Sequence, residues 1–313
     1  MNADRPVLGI FLMLGFCIVA PMGDATAKLL GTRLPIGELL LIRFALQGVF
    51  LTPIALATGR VMRMRGYILR MTALRTLLHI LGVGFMFTSL KYLPLADAIA
   101  IAFVMPFLLL LMGKFLLGEE VGPQRLAACA VGFVGTLMVV QPSFAEVGAP
   151  ALLPLGVALT FSLFMLVTRR IAKEIDPIGM QAVSGWIAVA VLAPLLLITN
   201  AAEVPGMTLP MPPRDAWGLL LLIGLLGSFG HLLMTWSLRF APSATLAPMQ
   251  YLEIPCATLI GWAIFGDLPD GLAAIGIGVT IASGLFIVAR ERAIARRPLP
   301  AQAPFPQALQ PEE

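Results

Sequence analysis

The sequence predicts an all-α integral membrane protein with ten transmembrane helices in two inverted five-helix repeats. Three observations lead there. Of 313 residues, 59% are hydrophobic and 12% charged, whereas a soluble domain carries about 25% charged residues. Ten apolar stretches approach the ~20 residues that a helix rising ~1.5 Å per residue needs to cross a bilayer. The segment from Ser89 to Glu119 recurs without a gap from Ser237 to Asp267. At that constant offset Ser89, Leu90, Pro94, Ala96, Leu111, Gly113 and Gly118 reappear unchanged. Lys91 returns as Arg239, Tyr92 as Phe240 and Glu119 as Asp267.

The stretches fall at 7–30, 36–58, 70–90, 95–117, 123–141, 151–171, 178–199, 216–238, 243–265 and 270–290. The first is long, holds Asp24 and Lys28, and follows a single basic residue, Arg5. It reads as a retained helix and not as a cleaved leader. Turn residues separate the others: Gly31 to Pro35, Lys91 to Pro94, Gly118 to Pro123, Gln141 to Pro150, Asp176-Pro177, Ala241-Pro242 and Gly266 to Pro269. With the N-terminus in the cytoplasm, most basic residues fall on the inner side, among them Arg60, Arg63, Arg65, Arg70, Arg169, Arg170 and Arg239. The outer side holds Arg33, Lys91 and Arg214. That bias predicts a multi-pass protein of the cell inner (plasma) membrane with both termini cytoplasmic. The Lys91 turn follows the third span and its echo at Arg239 follows the eighth. An odd number of spans per copy inverts the second copy, as in many secondary carriers. The expected units are residues 1–145, residues 146–291 and a tail, 292–313. The tail is rich in Pro, Gln and Ala and is expected to be disordered and cytoplasmic.

The formal charge of +4 comes largely from short loops and the tail, so it does not point to nucleic acid. Cys17, Cys129 and Cys256 sit inside apolar runs at no metal or redox spacing; neither a metal nor a cofactor is implied. The motifs G-x-x-x-x-G-K-[ST], H-E-x-x-H and G-x-S-x-G are absent. This argues against a P-loop ATPase and gives an intramembrane enzyme no recognisable machinery. A non-transporting membrane receptor is compatible with the composition but leaves the ionisable groups of the spans without a use.

Each such group costs roughly 2.5–3.5 kcal/mol on insertion scales. Glu253 is the sharpest case, about ten residues from either end of its span. Pro248 and Pro255 leave the carbonyls of Ala244 and Tyr251 free. Gln250, Tyr251 and Glu253 together make a polar pocket wall, with Glu253 as a substrate-binding or proton-coupling acid; the alternative is a structural acid bonded to a neighbouring helix. Asp24, Lys28, Glu38, Arg43, Lys91 and Asp97 map to the outer half of spans one to four. Asp24 and Lys28, four residues apart, can pair. Asp24, Lys28, Arg43 and Asp97 read as gating or coupling residues, with interfacial snorkelling the alternative for Lys28, Glu38 and Lys91. His79, near the middle of its span, reads as a substrate ligand or proton relay, and His231 as a packed polar residue. Arg75, one turn from His79, either binds an anionic group or snorkels. Trp186, Trp236 and Tyr251 are candidates to stack on a flat substrate ring. Gly224, Gly227 and Gly230, with Gly132 and Gly135, predict close helix approach. Glu119 and Asp267 read as caps of the helices that follow them.

The run F-V-M-P-F-L-L-L-L-M-G-K-F-L-L-G-E-E-V-G-P-Q-R-L-A-A-C-A-V-G-F-V-G-T-L-M-V-V-Q-P and the run Y-L-E-I-P-C-A-T-L-I-G-W-A-I-F-G-D resemble the EamA branch of the drug/metabolite transporter superfamily. The resemblance covers roughly residues 7–290. In that family the apolar helix ends in Leu-Gly-Glu in each repeat. Here Gly118-Glu119 keeps the ending and Gly266-Asp267 departs from it. The resemblance implies a secondary transporter that moves a small organic metabolite by alternating access. The ending G-F-V-G-T-L-M-V-V-Q-P is similar to the subset of riboflavin and S-adenosylmethionine importers, which implies riboflavin-type uptake. An exporter of amino acids or drugs is the other reading on the same fold. The expected partners are the solute, protons and the lipid bilayer, with the chain a monomer or homodimer.

Overall fold

The structure is a computed structural model that describes residues 5–118, 122–269 and 271–295. Glu119 and nearly all of the expected tail lie outside the described residues. Those described are helical or in short connections. In chain order the helices are α1 (Pro6–Gly31), α2 (Ile36–Ala57), α3 (Gly66–Ser89), α4 (Leu95–Ala102), α5 (Met105–Leu117) and α6 (Pro123–Val147). They continue as α7 (Leu153–Ile171), α8 (Pro177–Ala201), α9 (Trp217–Phe240), α10 (Ser243–Leu246), α11 (Glu253–Phe265) and α12 (Gly271–Ala295). Seven helical segments among the described residues are long and apolar enough to cross a membrane, one of them joining α4 to α5. α6 and α12 hold shorter apolar stretches, Leu126–Met138 and Gly271–Phe286.

Local chemistry sets the helix ends. α1, α6 and α8 begin on proline, whose missing N–H costs nothing in a first turn. Asp176 caps α8 by accepting from the Ile178 and Gly179 amides. It also receives Arg60 Nη1 at 2.7 Å, which ties the C-terminal end of α2 to the start of α8. α5 and α11 both stop on a left-handed glycine, Gly118 at φ 66° and Gly266 at φ 74°. The connection from α8 to α9 is held by Thr199, which donates to the Met207 carbonyl, and by Gly37, whose amide donates to Gly206.

Two expected spans are not continuous. The stretch 95–117 breaks between α4 and α5. The stretch 243–265 breaks into α10, a 3₁₀ segment at 247–252, and α11. The helices that resume after the two breaks match to the residue. Adding the repeat offset to the bounds of α5, Met105 and Leu117, gives the bounds of α11, Glu253 and Phe265. The physical cause is proline: Pro106 in the first turn of α5, and Pro248 and Pro255 around the 3₁₀ segment, each withdraw a ladder donor.

The two halves interlock. α1 packs on α9 and α3 on α7; α2 packs on α8, α6 on α12, α4 on α11 and α5 on α10. If each helix is exchanged for its counterpart in the other half, this set of pairs maps onto itself. Glycine brings the closest pairs together. A Cβ on Gly185 of α8 would lie 2.6 Å from the Gly48 amide nitrogen of α2 and 2.9 Å from its Cα. A Cβ on Gly135 of α6 would lie 2.7 Å from the Gly276 carbonyl of α12. We therefore expect Gly185→Ala to melt below wild type in detergent. The new methyl meets backbone, and overpacking costs about 1–3 kcal/mol, more than the ~1 kcal/mol of helix propensity gained. Gly218→Ala, with nothing within 4 Å, is expected to melt at or above wild type. Equal melting of both variants would remove the α2–α8 contact as a constraint.

Candidate functional site

A cavity lies among α1, α2, α3, α4, α7 and α9, with the start of α5 and of α11 on its wall. About 80 Å³ of it is open to the centre of a water-sized sphere, within about 770 Å³ of empty space that includes the mouth. One water needs roughly 10–15 Å³ of such volume, so the cavity has room for several waters or part of a small solute. Both halves line it through equivalent positions. Gly82 and Gly230, Val83 and His231, and Met105 and Glu253 are pairs at the repeat offset, and all six residues face it. In two of the three pairs a polar residue corresponds to an apolar one.

Glu253 is the first residue of α11, so it occupies the break itself, and it is 6% exposed. Arg43 projects from α2 and is 4% exposed. Its guanidinium rests on the backbone of α9, where a Cβ on Gly227 would come within 2.9 Å of Nε and 3.1 Å of Cζ and Nη2. Arg43 Nη2 approaches His79 Nε2 at 3.5 Å, and Nη1 has no hydrogen-bond partner. Asp24 of α1 lines the same cavity. No salt bridge within 4.0 Å joins Asp24, Arg43 and Glu253, so two carboxyl groups and a guanidinium stand around one space without forming an ion pair.

Aromatic and imidazole rings close the floor. His79 Nε2 lies 3.0 Å from His231 Nε2, a contact that requires one ring to donate and the other to accept. Phe44, Phe161 and Phe164 surround His79, and Phe16 lies against His231. Beneath this layer Arg75 is fully buried. It donates to Thr168 Oγ1 at 2.8 Å, Ser184 Oγ at 2.9 Å, Gln181 Oε1 at 3.2 Å and Thr235 Oγ1 at 3.4 Å, with its guanidinium 4.5 Å above the Phe164 ring. Gln47 joins the cluster by donating to the Gln181 carbonyl at 2.8 Å. Snorkelling is therefore not what Arg75 does.

The structure brings Glu253, Arg43 and Asp24, read separately in the sequence, to one cavity with His79 against Arg43, and it places His231, read as a packed residue, on the cavity wall. Other expectations are corrected. Lys28 does not pair with Asp24; its Nζ reaches Asp267 Oδ2 at 3.3 Å and the Leu93 carbonyl at 3.2 Å. Asp267 is thereby an ion-pair partner across the two halves rather than a helix cap. Asp97 faces a separate cleft with Glu146 and Asp267. Trp186 is 46% exposed beside Gly48, with Nε1 donating to Thr52 Oγ1 at 2.9 Å, and Trp236 packs against the Leu51–Ala182–Leu232 cluster. Neither lines the cavity, because their helix faces look toward α2 and away from the break. Phe16, Phe87, Phe103 and Phe161 supply the aromatic wall instead. Tyr251 is buried against Gly132 of α6, with its hydroxyl donating to the Cys129 carbonyl at 3.4 Å. Gln250 points Nε2 at Met165 Sδ, 3.0 Å away. Both hold the 3₁₀ segment in place from behind.

The model of the EamA-like transporter family matches residues 7–141 and again residues 149–289. The chain belongs to that family. Such a family member is a multi-pass membrane protein. A riboflavin transporter of Rhizobium johnstonii is 31% identical over 72% of each chain. An S-adenosylmethionine uptake transporter of Rickettsia prowazekii is 24% identical, covering 91% of this chain and 93% of its own. A pseudopaline exporter of Pseudomonas aeruginosa is 25% identical, covering 95% and 99% respectively. A crystal structure 21% identical in sequence superposes with a TM-score of 0.68 over 93% of this chain and 98% of its own, which shows a shared fold.

The two buried arginines differ in a way that stability measurements read. Arg75→Met takes the donor from the Thr168 and Ser184 hydroxyl oxygens and one of two donors from Gln181 Oε1 and Thr235 Oγ1, and it is expected to lower the melting temperature, the equivalent of about 1–3 kcal/mol. Arg43→Met removes a charge with a bare donor and is expected to melt at or above wild type. Unfolding of Arg43→Met would make that residue a structural brace.

Proposed function

We propose that the protein is a secondary transporter that moves a small organic metabolite across the inner membrane by alternating access. Ten spans form two inverted five-helix halves, 1–145 and 146–291, with both ends cytoplasmic. Support comes from the helix pairing that survives exchange of the halves and from the coincidence of α5 and α11 at the repeat offset. The observation that carries the reading is Glu253 at the start of α11, in a broken helix at mid-span, facing a cavity built from both halves. Broken helices at the repeat interface are where such carriers hold solute and coupling ion.

The cavity lies on the outer side of the His79–His231 layer, and the Arg75 cluster fills the space on the inner side. This arrangement corresponds to a carrier closed toward the cytoplasm. Rocking of the halves about the two breaks then exposes Glu253 to each side in turn. Glu253, Arg43, Asp24 and His231 contact the solute, His79 stands behind them, and Glu253 carries the coupling proton. Lys28 and Asp267, paired across the halves, belong to the outer gate.

Uptake of a vitamin- or nucleoside-like solute, riboflavin first, is favoured by the relatives named for riboflavin and S-adenosylmethionine transport. The relative named as a pseudopaline exporter supports the second reading, export on the same fold. The enzyme and receptor readings give the broken helices no role.

Thermal stabilisation of the detergent-purified protein against flavins, nucleosides, S-adenosylmethionine and amino acids tests the assignment. A ligand at about 100 times its dissociation constant adds about 2.7 kcal/mol of apparent stability. One class is expected to do so in the wild type and to lose the effect in Glu253→Gln. In liposomes Glu253→Gln is expected to abolish gradient-driven accumulation and to keep exchange. A variant that still accumulates solute against a gradient removes Glu253 as the coupling group.

A further inference from the structure

The charges of the spans are unevenly matched. Arg75 is fully buried, and its four hydrogen-bond partners are neutral. Arg43, one layer outward, lines the cavity, and its buried Nη1 has no hydrogen-bond partner. His79 stands between them, with its ring 3.5 Å from Arg43 Nη2 and its place on α3 one turn from Arg75. The two acids of the cavity, Asp24 and Glu253, come from α1 and α11; Asp24 is the electrostatic neighbour of Arg43, but no salt bridge joins them, and the Arg43 guanidinium lies against α9. A desolvated guanidinium with a free N–H is a receptor for an oxyanion.

The partners of Arg75 add a second observation. Arg75 belongs to the first half, while Thr168, Ser184 and Gln181, and Thr235 belong to α7, α8 and α9 of the second. Hydroxyl and amide oxygens therefore clamp one half to the other through a single cation. An oxyanion arriving at Arg75 can accept from two of its N–H groups at once, a charge-assisted bidentate contact that displaces the neutral acceptors held there.

We infer that the transported solute carries a carboxylate or phosphate, which Arg43 receives in the cavity and Arg75 receives next, releasing the inner clamp between the halves. Asp24 and Glu253 take the donor-rich or cationic part of the same solute, and the phenylalanine walls take its apolar body. This rests on the transporter reading above and narrows it to anion-bearing solutes.

The test uses liposomes and two matched pairs of probes: S-adenosylmethionine with its carboxyl methyl ester, and flavin mononucleotide with riboflavin. The acidic member of one pair is expected to enter at least about tenfold faster than its partner. The first pair identifies a carboxylate and the second a phosphate. Arg43→Gln is expected to weaken binding of the acidic member, read as thermal stabilisation, by about tenfold and to leave its partner unchanged. Arg75→Gln is expected to keep binding within about twofold and to slow entry at least about tenfold, with Arg75→Lys restoring part of the rate. The Lys variant separates loss of the cation from a folding defect. Equal entry of acidic and non-acidic members, or an equal effect of Arg75→Gln on both, overturns the anion route and leaves the transporter reading standing. No entry of any of the four probes in the wild type overturns both.

Discussion

A bilayer offers no hydrogen bonds, so a helix that breaks inside it must find other partners for the backbone groups it frees. This chain breaks two helices at mid-span, at equivalent residues, and the rest of the structure accommodates that choice. The breaks are kept away from lipid. Leu95 to Ile101, before the first break, are almost wholly buried, and Tyr251, Met249 and Gln250 around the second are fully buried. Helices α1, α6, α7 and α12 surround them and supply the enclosing protein. What remains open between the breaks is the cavity, so the constraint that shapes the packing also places the candidate site.

The scaffold is nearly two-fold, and the site is not. At the repeat offset His79 corresponds to Gly227, His231 to Val83, Glu253 to Met105 and Arg75 to Ile223. Each of these four polar groups has an apolar counterpart. One of these substitutions creates space directly: the missing side chain at Gly227 is where the Arg43 guanidinium lies. In the transport cycle proposed above, two equivalent halves would rock about a shared axis, while the cavity they enclose presents acids from α1 and α11 and a guanidinium from α2. The motion would rest on the symmetry and the recognition on its local violation.

Much of this was legible in the sequence, and the remainder was not for identifiable reasons. The repeat, the apolar stretches and the mid-span acid are local patterns, and they led to Glu253, Asp24 and Arg43. The breaks were partly visible in Pro248 and Pro255, but an apolar run of span length reads as one helix until packing shows otherwise. Partner choice was the weakest inference. Lys28 has Asp24 one turn away, yet bonds Asp267 from the other half, and spacing along one helix carries no information about that. His231 looked ordinary because its partner, His79, is 152 residues away. Trp186 and Trp236 have the chemistry of a stacking platform, but which face of a helix turns inward is decided by the opposing helix.

The inner arginine bears on how the energy of such a protein is distributed. A buried cation held only by neutral groups is expensive, and apolar residues of similar size in such places are often neutral or stabilising. Arg75 therefore contributes less to stability than a well-packed Met in a matching apolar environment would. Under the anion route proposed above its value would lie in being exchangeable: hydroxyl and amide acceptors hold a guanidinium more weakly than a carboxylate does. An acidic partner in their place would lock the halves. Neutral partners would leave the clamp open to competition from a solute that brings its own charge, which would tie release of the clamp to the presence of cargo.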